Sequence, residues 1–478
     1  MALRFYNTLT QEMELFHPLE DNTVRMYTCG PTVYNFVHIG NFRTFTFQDI
    51  LRRWLRYRGY KLKHVMNVTD VDDKIIKNAA KERKSIEEYT SIYTKAFFED
   101  AAALRLQQPE HVAPATKHIH VMVEAVERLA AKGYTYTNDG STYYRIAAFP
   151  DYGKLSHNDF SGIRSGARVD LDEYDKADAR DFVLWKARRG DEPFWEAPFG
   201  EGRPGWHIEC SAMAMSYLGE TLDIHAGGVD LIFPHHENEI AQSEAITGKP
   251  FARFWLHAEH LHIESQKMSK SLGNFYTLRD LLGMGYRPEA IRYLLASVPY
   301  RKKLNFTFEG LKAATKSIER LRDFEVRLTS TRLAAGQNEA LTERSREAIR
   351  RFEDALDDDL NTAEALAAIF EYVRAMNTAL DEGQFQDENR WDAARVLEVF
   401  DAVFDVLKPA EDVAEPDGQR SGARNAALND IEIEAQIEER NRAKKARDFA
   451  RADAIRAALQ ERGVVLEDTK DGVRWKRK

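Results

Sequence analysis

The chain has 478 residues, 43% hydrophobic and 30% charged, with a formal net charge of −9. That length suggests about three to four domains, and the composition lets buried cores coexist with a soluble surface. No apolar run approaches the ~18 residues of a membrane helix, and Met1–Thr10 lacks the basic flank and apolar core of a signal peptide, so a cytoplasmic protein with no membrane partner is expected.

Val24–Thr28 reads as a short strand, stopped by Gly30 and Pro31. From Asn41 to Tyr57 the apolar residues Phe42, Phe45, Ile50, Trp54 and Leu55 recur at near-helical spacing, and Gly59 follows as a stop. Lys63–Thr69 reads as a second strand, so this stretch predicts a parallel βαβ unit. Residues 120–205 differ, with turn clusters at Asn138-Asp139-Gly140 and Ser161-Gly162 and a charged run from Asp170 to Asp181. They read as an insertion, after which residues 206–260 resume the α/β pattern. Helical periodicity covers Leu311–Leu328, Leu341–Leu356, Thr362–Leu380 and Asp392–Leu407. Lys408–Arg424 has linker composition. Helices over Ile431–Arg447 and Phe449–Arg462 follow, then a hairpin of Val464–Leu466 and Val473–Trp475 about Asp471-Gly472.

The only cysteines are Cys29 and Cys210. Two such distant cysteines do not make a disulfide framework, and by count alone they read as small buried apolar residues. Their surroundings say more. Cys29-Gly-Pro-Thr-Val-Tyr-Asn-Phe-Val-His38-Ile39-Gly40-Asn41 lies between the first strand and the first helix, where backbone N–H groups and the helix dipole favour phosphate. His38 adds a donor there, and Gly40 lets a nucleotide approach the backbone. Lys267-Met268-Ser269-Lys270-Ser271, followed by Leu272-Gly273-Asn274, is a cationic loop suited to charge building on a leaving pyrophosphate. Gly205-Trp206-His207-Ile208-Glu209-Cys210 precedes His225-Ala226-Gly227-Gly228-Val229-Asp230, and then Phe233-Pro234-His235-His236-Glu237-Asn238-Glu239. On a helix His235 and Glu239 share one face, and with the two cysteines they form a four-ligand zinc set.

His-Ile-Gly with a later Lys-Met-Ser-Lys-Ser is the paired motif of class I aminoacyl-tRNA synthetases, and the whole pattern resembles the cysteinyl-tRNA synthetase family. The likeness runs from Tyr27-Thr28-Cys29-Gly30 through Lys267–Ser271. It continues at Asp357-Asp358-Asp359-Leu360-Asn361-Thr362, and reaches Asp448–Arg456, Leu466-Glu467-Asp468-Thr469 and Trp475. The resemblance places the family's zinc ligands on Cys29, Cys210, His235 and Glu239, and its ATP-contacting lysine on Lys270. Where the family's first motif often ends in a second His, this chain has Asn41, which donates a hydrogen bond but carries no charge.

The resemblance implies an α/β fold. A Rossmann-type parallel-sheet catalytic domain (1–119 and 206–260) holds a connective insertion (120–205). A signature-loop and stem-contact region (261–310), a helical tRNA-binding bundle (311–407), a linker (408–424) and a small mixed α/β anticodon-binding domain (425–478) follow. The implied activity is ATP-dependent activation of L-cysteine and transfer to the cysteine tRNA, by a monomer with one Zn²⁺ and with Mg²⁺ accompanying ATP. The catalytic residues expected are His38, Asn41, Lys267 and Lys270. ATP would contact His38, Gly40, Asn41, Gly228, Asp230 and Lys270, and the substrate would meet Cys29 and Trp206. Zinc would prefer a thiol to serine's hydroxyl, although four protein ligands usually mark a closed structural site. Arg440, Arg442, Lys444, Lys445, Arg447, Arg474, Lys476, Arg477 and Lys478, beside Trp475, would meet tRNA. Rival readings are a cysteine ligase acting on a small amine, which would lack the tRNA-reading end, a zinc hydrolase, which lacks the His-Glu-x-x-His order, and an RNA-binding protein without catalysis.

Overall fold

The computed structural model describes residues 2–158, 181–268, 273–409, 430–445, 448–461, 464–469 and 472–477. Five strands, β1 (Thr23–Thr28), β2 (Lys61–Val68), β3 (His111–Pro114), β4 (Leu222–Gly228) and β5 (Ala252–Ala258), form one sheet in the order β5-β4-β1-β2-β3. Every neighbouring pair is parallel. Helices cover both faces of such a sheet, and its central strands are correspondingly apolar: all of β4 is buried. The expected βαβ unit is β1, helix α1 (Ile39–Tyr57) and β2. The strand order reverses between β1 and β4, whose carboxyl ends therefore open the crevice where α/β folds bind ligands.

Helices α2 (Trp206–Leu218) and α3 (Glu237–Thr247) flank β4 in sequence. The expectation that His235 and Glu239 share one α-helix needs correction. His235 lies in a π-helical turn, Ile232–His236, that contains the non-helical Phe233 (φ −134°, ψ 131°), while Glu239 lies in α3. Pro234 has no N–H to offer a regular ladder, so the helix starts later than the spacing suggests. The wider turn still brings His235 Nε2 within 3.1 Å of Glu239 Oε1.

Within the insertion, strands Thr135–Asn138, Ser141–Tyr144, Phe182–Ala187 and Gly202–Pro204 make an antiparallel sheet. Its first hairpin turns at Asp139 and Gly140, both at positive φ, as Asn-Asp-Gly chemistry predicts. Ser161-Gly162 and the charged run up to Arg180 lie outside the described residues. Two features have no counterpart in the periodicity reading: an N-terminal hairpin, Arg4–Asn7 with Glu12–Leu15, and helices Asp73–Glu82 and Ile86–Ala103. The hairpin docks on the sheet edge through Asn7, whose side chain accepts the Trp255 N–H and donates to Arg253 O.

The four expected bundle helices are Phe308–Ser330, Glu339–Asp357, Thr362–Asp381 and Asn389–Phe404. They join the catalytic half through α1, where the Trp54 indole N–H donates to Asp357 at 3.2 Å and the Tyr57 hydroxyl to Glu353 at 2.6 Å, and where Arg53 pairs at 2.8 Å with Asp405, just past the last bundle helix. The helical C-terminal unit is separate. Its helices Asp430–Lys445 and Phe449–Glu461 and its hairpin, Val464–Thr469 with Gly472–Arg477, enclose Ile433, Ile437, Leu459, Val464 and Leu466. One expectation changes there: Arg440 is 1% exposed, so it does not stand open to RNA, whereas Trp475 packs against that core and stays partly exposed. Arg442 is exposed and pairs with Glu438. The Lys445, Arg447, Arg474, Lys476, Arg477 and Lys478 side chains lie outside the described residues, as does most of the 408–424 linker.

Candidate active site and metal centre

At the β1–β4 crevice a cavity of about 240 Å³ is bounded by Cys29, Cys210, His235 and Trp206 at one end, and by His38, Asn41, Gly228 and Asp230 toward the other. β1 delivers Cys29, α2 delivers Cys210, the π turn delivers His235 and α3 delivers Glu239. All four are buried. Cys29 Sγ lies 3.9 Å from Cys210 Sγ and 3.7 Å from Glu239 Oε1. Zinc ligands at about 2.3 Å for sulfur and about 2.0–2.1 Å for nitrogen and oxygen span tetrahedral edges of about 3.8 Å between sulfurs and about 3.3 Å between nitrogen and oxygen. The observed edges match, so the donor set fits zinc.

A second grouping, Cys29, His225, His236 and Glu239, also converges. Of that grouping Cys29 alone lines the cavity, whereas Cys29, Cys210 and His235 of the first set do. His225 Nε2 lies 2.9 Å from the outer carboxylate oxygen of Glu239. His236 Nε2 lies 3.3 Å from Cys29 Sγ, and its Nδ1 lies 2.8 Å from His257 Nε2. Both groups therefore orient the first set from behind. His207 Nδ1 does the same for His235 at 2.9 Å.

Electrostatics follow from this crowding. Burial would raise Glu239, but the His225 and His235 rings hold its carboxyl at about 2. Burial would lower His235, but Glu239 and Cys210 raise it to about 10. Burial and its neighbour Cys210 push the Cys29 thiol up. Cys210, raised by burial, is brought down to about 6 by its hydrogen bonds to Cys29 and His235. Without metal the pair thus holds a single thiolate next to an imidazolium, and a divalent cation would displace the remaining protons. Burial drives His236 well below its ordinary value and His257 to about 3, so both stay neutral.

The opposite end is built on α1. His38 is its N-cap, and its Nδ1 accepts the Asn41 N–H at 3.2 Å. An accepting Nδ1 places the neutral ring's proton on Nε2. The Ile39 N–H goes to Tyr276 O, so two of the helix N-terminal amides expected to meet phosphate are already engaged. Gly40 does not line the cavity. A Cβ there would meet Met268 Cε at 2.8 Å and the His38 ring at 2.9 Å, so its missing side chain houses the signature-loop methionine. Gly228 does line the cavity, and a Cβ there would strike Asp230 Oδ1 at 2.4 Å. Asn274 Nδ2 closes the signature loop on Lys267 O at 3.2 Å. Lys267 is exposed and not part of the cavity wall, and Lys270 lies outside the described residues. Trp206 stacks on His235 with ring centroids 4.2 Å apart. The periodicity reading missed Tyr34, Asn67 and Thr69 in the wall, as well as His257, a single histidine within a buried strand.

Residues 15–316 match the family described as the class I (C) catalytic domain of tRNA synthetases. Residues 351–408 match the DALR domain, and 430–475 the cysteinyl-tRNA ligase anticodon binding domain. The chain is 63% identical to the cysteine–tRNA ligase of Solibacter usitatus and 55% identical to that of Koribacter versatilis, with all of both chains covered in each case. A methionyl-tRNA synthetase from Mycobacterium tuberculosis bound by methionyl-adenylate shares the fold. Its TM-score is 0.60 at 15% identity, covering 80% of this chain and 92% of that one. Among the described residues no helix is long and apolar enough to cross a membrane.

Proposed function

The chain belongs to the cysteine–tRNA ligases, within the class I aminoacyl-tRNA synthetases, and from that premise we propose how its residues divide the work. The small-amine ligase reading falls away, because the chain carries a match to the anticodon binding domain at 430–475. The observation that carries the proposal is the single cavity with a four-ligand sulfur end and a nucleotide end.

The cysteine carboxylate attacks the α-phosphate of ATP, forming cysteinyl-adenylate and releasing pyrophosphate. The terminal ribose hydroxyl of tRNA then attacks the adenylate carbonyl and AMP leaves. Neither step needs a protein nucleophile, so positioning and charge stabilisation do the work. His38 donates from Nε2 and Asn41 from its amide to phosphate oxygens. Gly228 lets the nucleotide lie against β4, and Asp230 accepts from its ribose hydroxyls. Lys270, with Lys267, stabilises the leaving pyrophosphate, and Mg²⁺ accompanies ATP. Cys29, Cys210, His235 and Glu239 hold one zinc ion, which supplies a preference for the substrate thiol over serine's hydroxyl. Trp206 walls the amino-acid end. Size alone separates such close analogues by only ~1–3 kcal/mol, so a thiol-selective site makes editing unnecessary. The same reading makes the enzyme a cytoplasmic monomer with the domain limits given above; the matches to 15–316, 351–408 and 430–475 support that division.

The test is cysteine-dependent ATP–pyrophosphate exchange, with serine in parallel, on metal-replete protein and on Cys210→Ala. Exchange with cysteine and not serine, lost in the variant, is expected. Exchange that survives in Cys210→Ala with selectivity intact would reduce the metal to a structural role.

A further inference from the structure

Glu237 stands in the midst of the metal centre, between His236 and Asn238, yet it faces away from the ligands. Its carboxylate is 0% exposed and accepts three backbone N–H groups from one loop of the insertion: Gly153 at 2.9 Å, Leu155 at 3.1 Å and Ser156 at 2.8 Å. The loop curls around the carboxylate because Gly153 takes φ +102°, a conformation that suits glycine, while Leu155 is inserted into the core. The neighbouring Tyr152 hydroxyl donates to Asn238 Oδ1 at 2.5 Å. At the loop's far end His157 Nε2 donates to Thr8 O at 3.0 Å. The Thr8 hydroxyl in turn meets His257 Nδ1 at 2.8 Å, and the chain continues through His236 to Cys29 Sγ.

The loop thus reaches the metal centre from two sides. One route runs through Glu237 and Asn238, in the first turn of α3, to the adjoining π turn that bears His235 and to Glu239 in α3 itself. The other runs through Thr8, His257 and His236 to Cys29. We propose that the insertion loop Tyr152–His157 is a positioning element for the zinc ligands, and that Glu237 is the residue through which it acts. The inference rests on the zinc reading above. A π turn interrupted at Phe233 has no continuous helical ladder to fix its ligand. Three amides converging on a buried carboxylate fix that turn from outside. A glutamine would present an NH₂ group to at least one of these N–H donors and lose that contact.

Zinc-loaded protein is titrated with a competing chelator, and KM values for cysteine and ATP are measured by pyrophosphate exchange, for wild type, Glu237→Gln, Tyr152→Phe and Lys154→Met. Lys154 pairs with Glu244 from the same loop to the same helix but leads to no ligand, so it controls for loop attachment alone. Glu237→Gln should weaken zinc retention about 10–100-fold and raise the cysteine KM while leaving the ATP KM unchanged. Tyr152→Phe should shift both in the same direction by a smaller factor, and it carries the test if Glu237→Gln does not fold. Lys154→Met should leave zinc retention at the wild-type value. Wild-type zinc retention in Glu237→Gln and Tyr152→Phe, or equal loss in Lys154→Met, overturns the inference. A wild-type protein that holds no zinc overturns the underlying reading instead.

Discussion

At the sulfur end of the cleft Cys29, Cys210, His235 and Glu239 are all buried, and other side chains support them from behind: His225 on Glu239, His236 on Cys29, His207 on His235. At the nucleotide end Asn41 and Asp230 are exposed and His38 is half-buried. There the structure supplies orientation, through the His38 cap, more than enclosure. The difference suits the tasks proposed for the two ends. Telling sulfur from oxygen needs ligand atoms placed to within tenths of an ångström before the substrate arrives. Stabilising a departing pyrophosphate needs donors that meet charge as it forms, and the loop proposed for that work is held at its described flanks, where Asn274 donates to Lys267 O and Tyr276 O accepts the Ile39 N–H.

If the ends are so divided, removing a ligand should disable one without the other. Cys29→Ala is expected to abolish zinc binding and to lower kcat/KM for cysteine by more than ~1000-fold, since the substrate contact and its metal vanish together. ATP binding measured by calorimetry should stay within about twofold; a comparable loss there would show that the two ends are one unit. His38→Ala should do the reverse. One preorganised donor lost costs about 100–1000-fold in kcat, while zinc content and cysteine KM remain near wild type. A rise in cysteine KM as large as the fall in kcat would erase the distinction.

The smallest effect lies behind the sheet. Burial pushes Glu110 up, but its hydrogen bonds to Arg52 outweigh that and hold it at about 2. Arg52 also touches His64, which meets Thr28, the residue before Cys29. A depressed carboxylate stabilises above its unfolded value of about 4.5 and loses that contribution as pH falls toward 2. Glu110→Gln should therefore flatten the acid limb of the stability curve between those values, by about 2 kcal/mol. Chemical denaturation across that window checks it, and zinc content at neutral pH should not change.

The convergence of Cys29, Cys210, His235 and Glu239 was legible in the sequence because two cysteines, a His and a Glu in these motifs have few other joint uses. The βαβ unit and the bundle were legible because apolar periodicity reports one buried face. What supports the ligands was not. His257 lies in a strand buried almost throughout, where alternation carries no signal. Glu237 reads as a surface carboxylate until the insertion loop is folded over it. Arg440 looked like a cation for RNA because charge in a helix says nothing of which side meets the core. The π turn was hidden for a related reason: i, i+4 spacing places two groups together in either helix type.

The stack of Trp206 on His235 makes the sulfur end visible to light. An indole 40% exposed and 4.2 Å from a ligand's ring senses that ring's charge and motion. Its emission should change when a divalent ion replaces the imidazolium proton, and again when an amino acid enters beside it. The change lost in Trp206→Phe isolates this indole from the chain's other six, out of seven tryptophans in all. Occupancy of the site can then be followed in milliseconds, without a label.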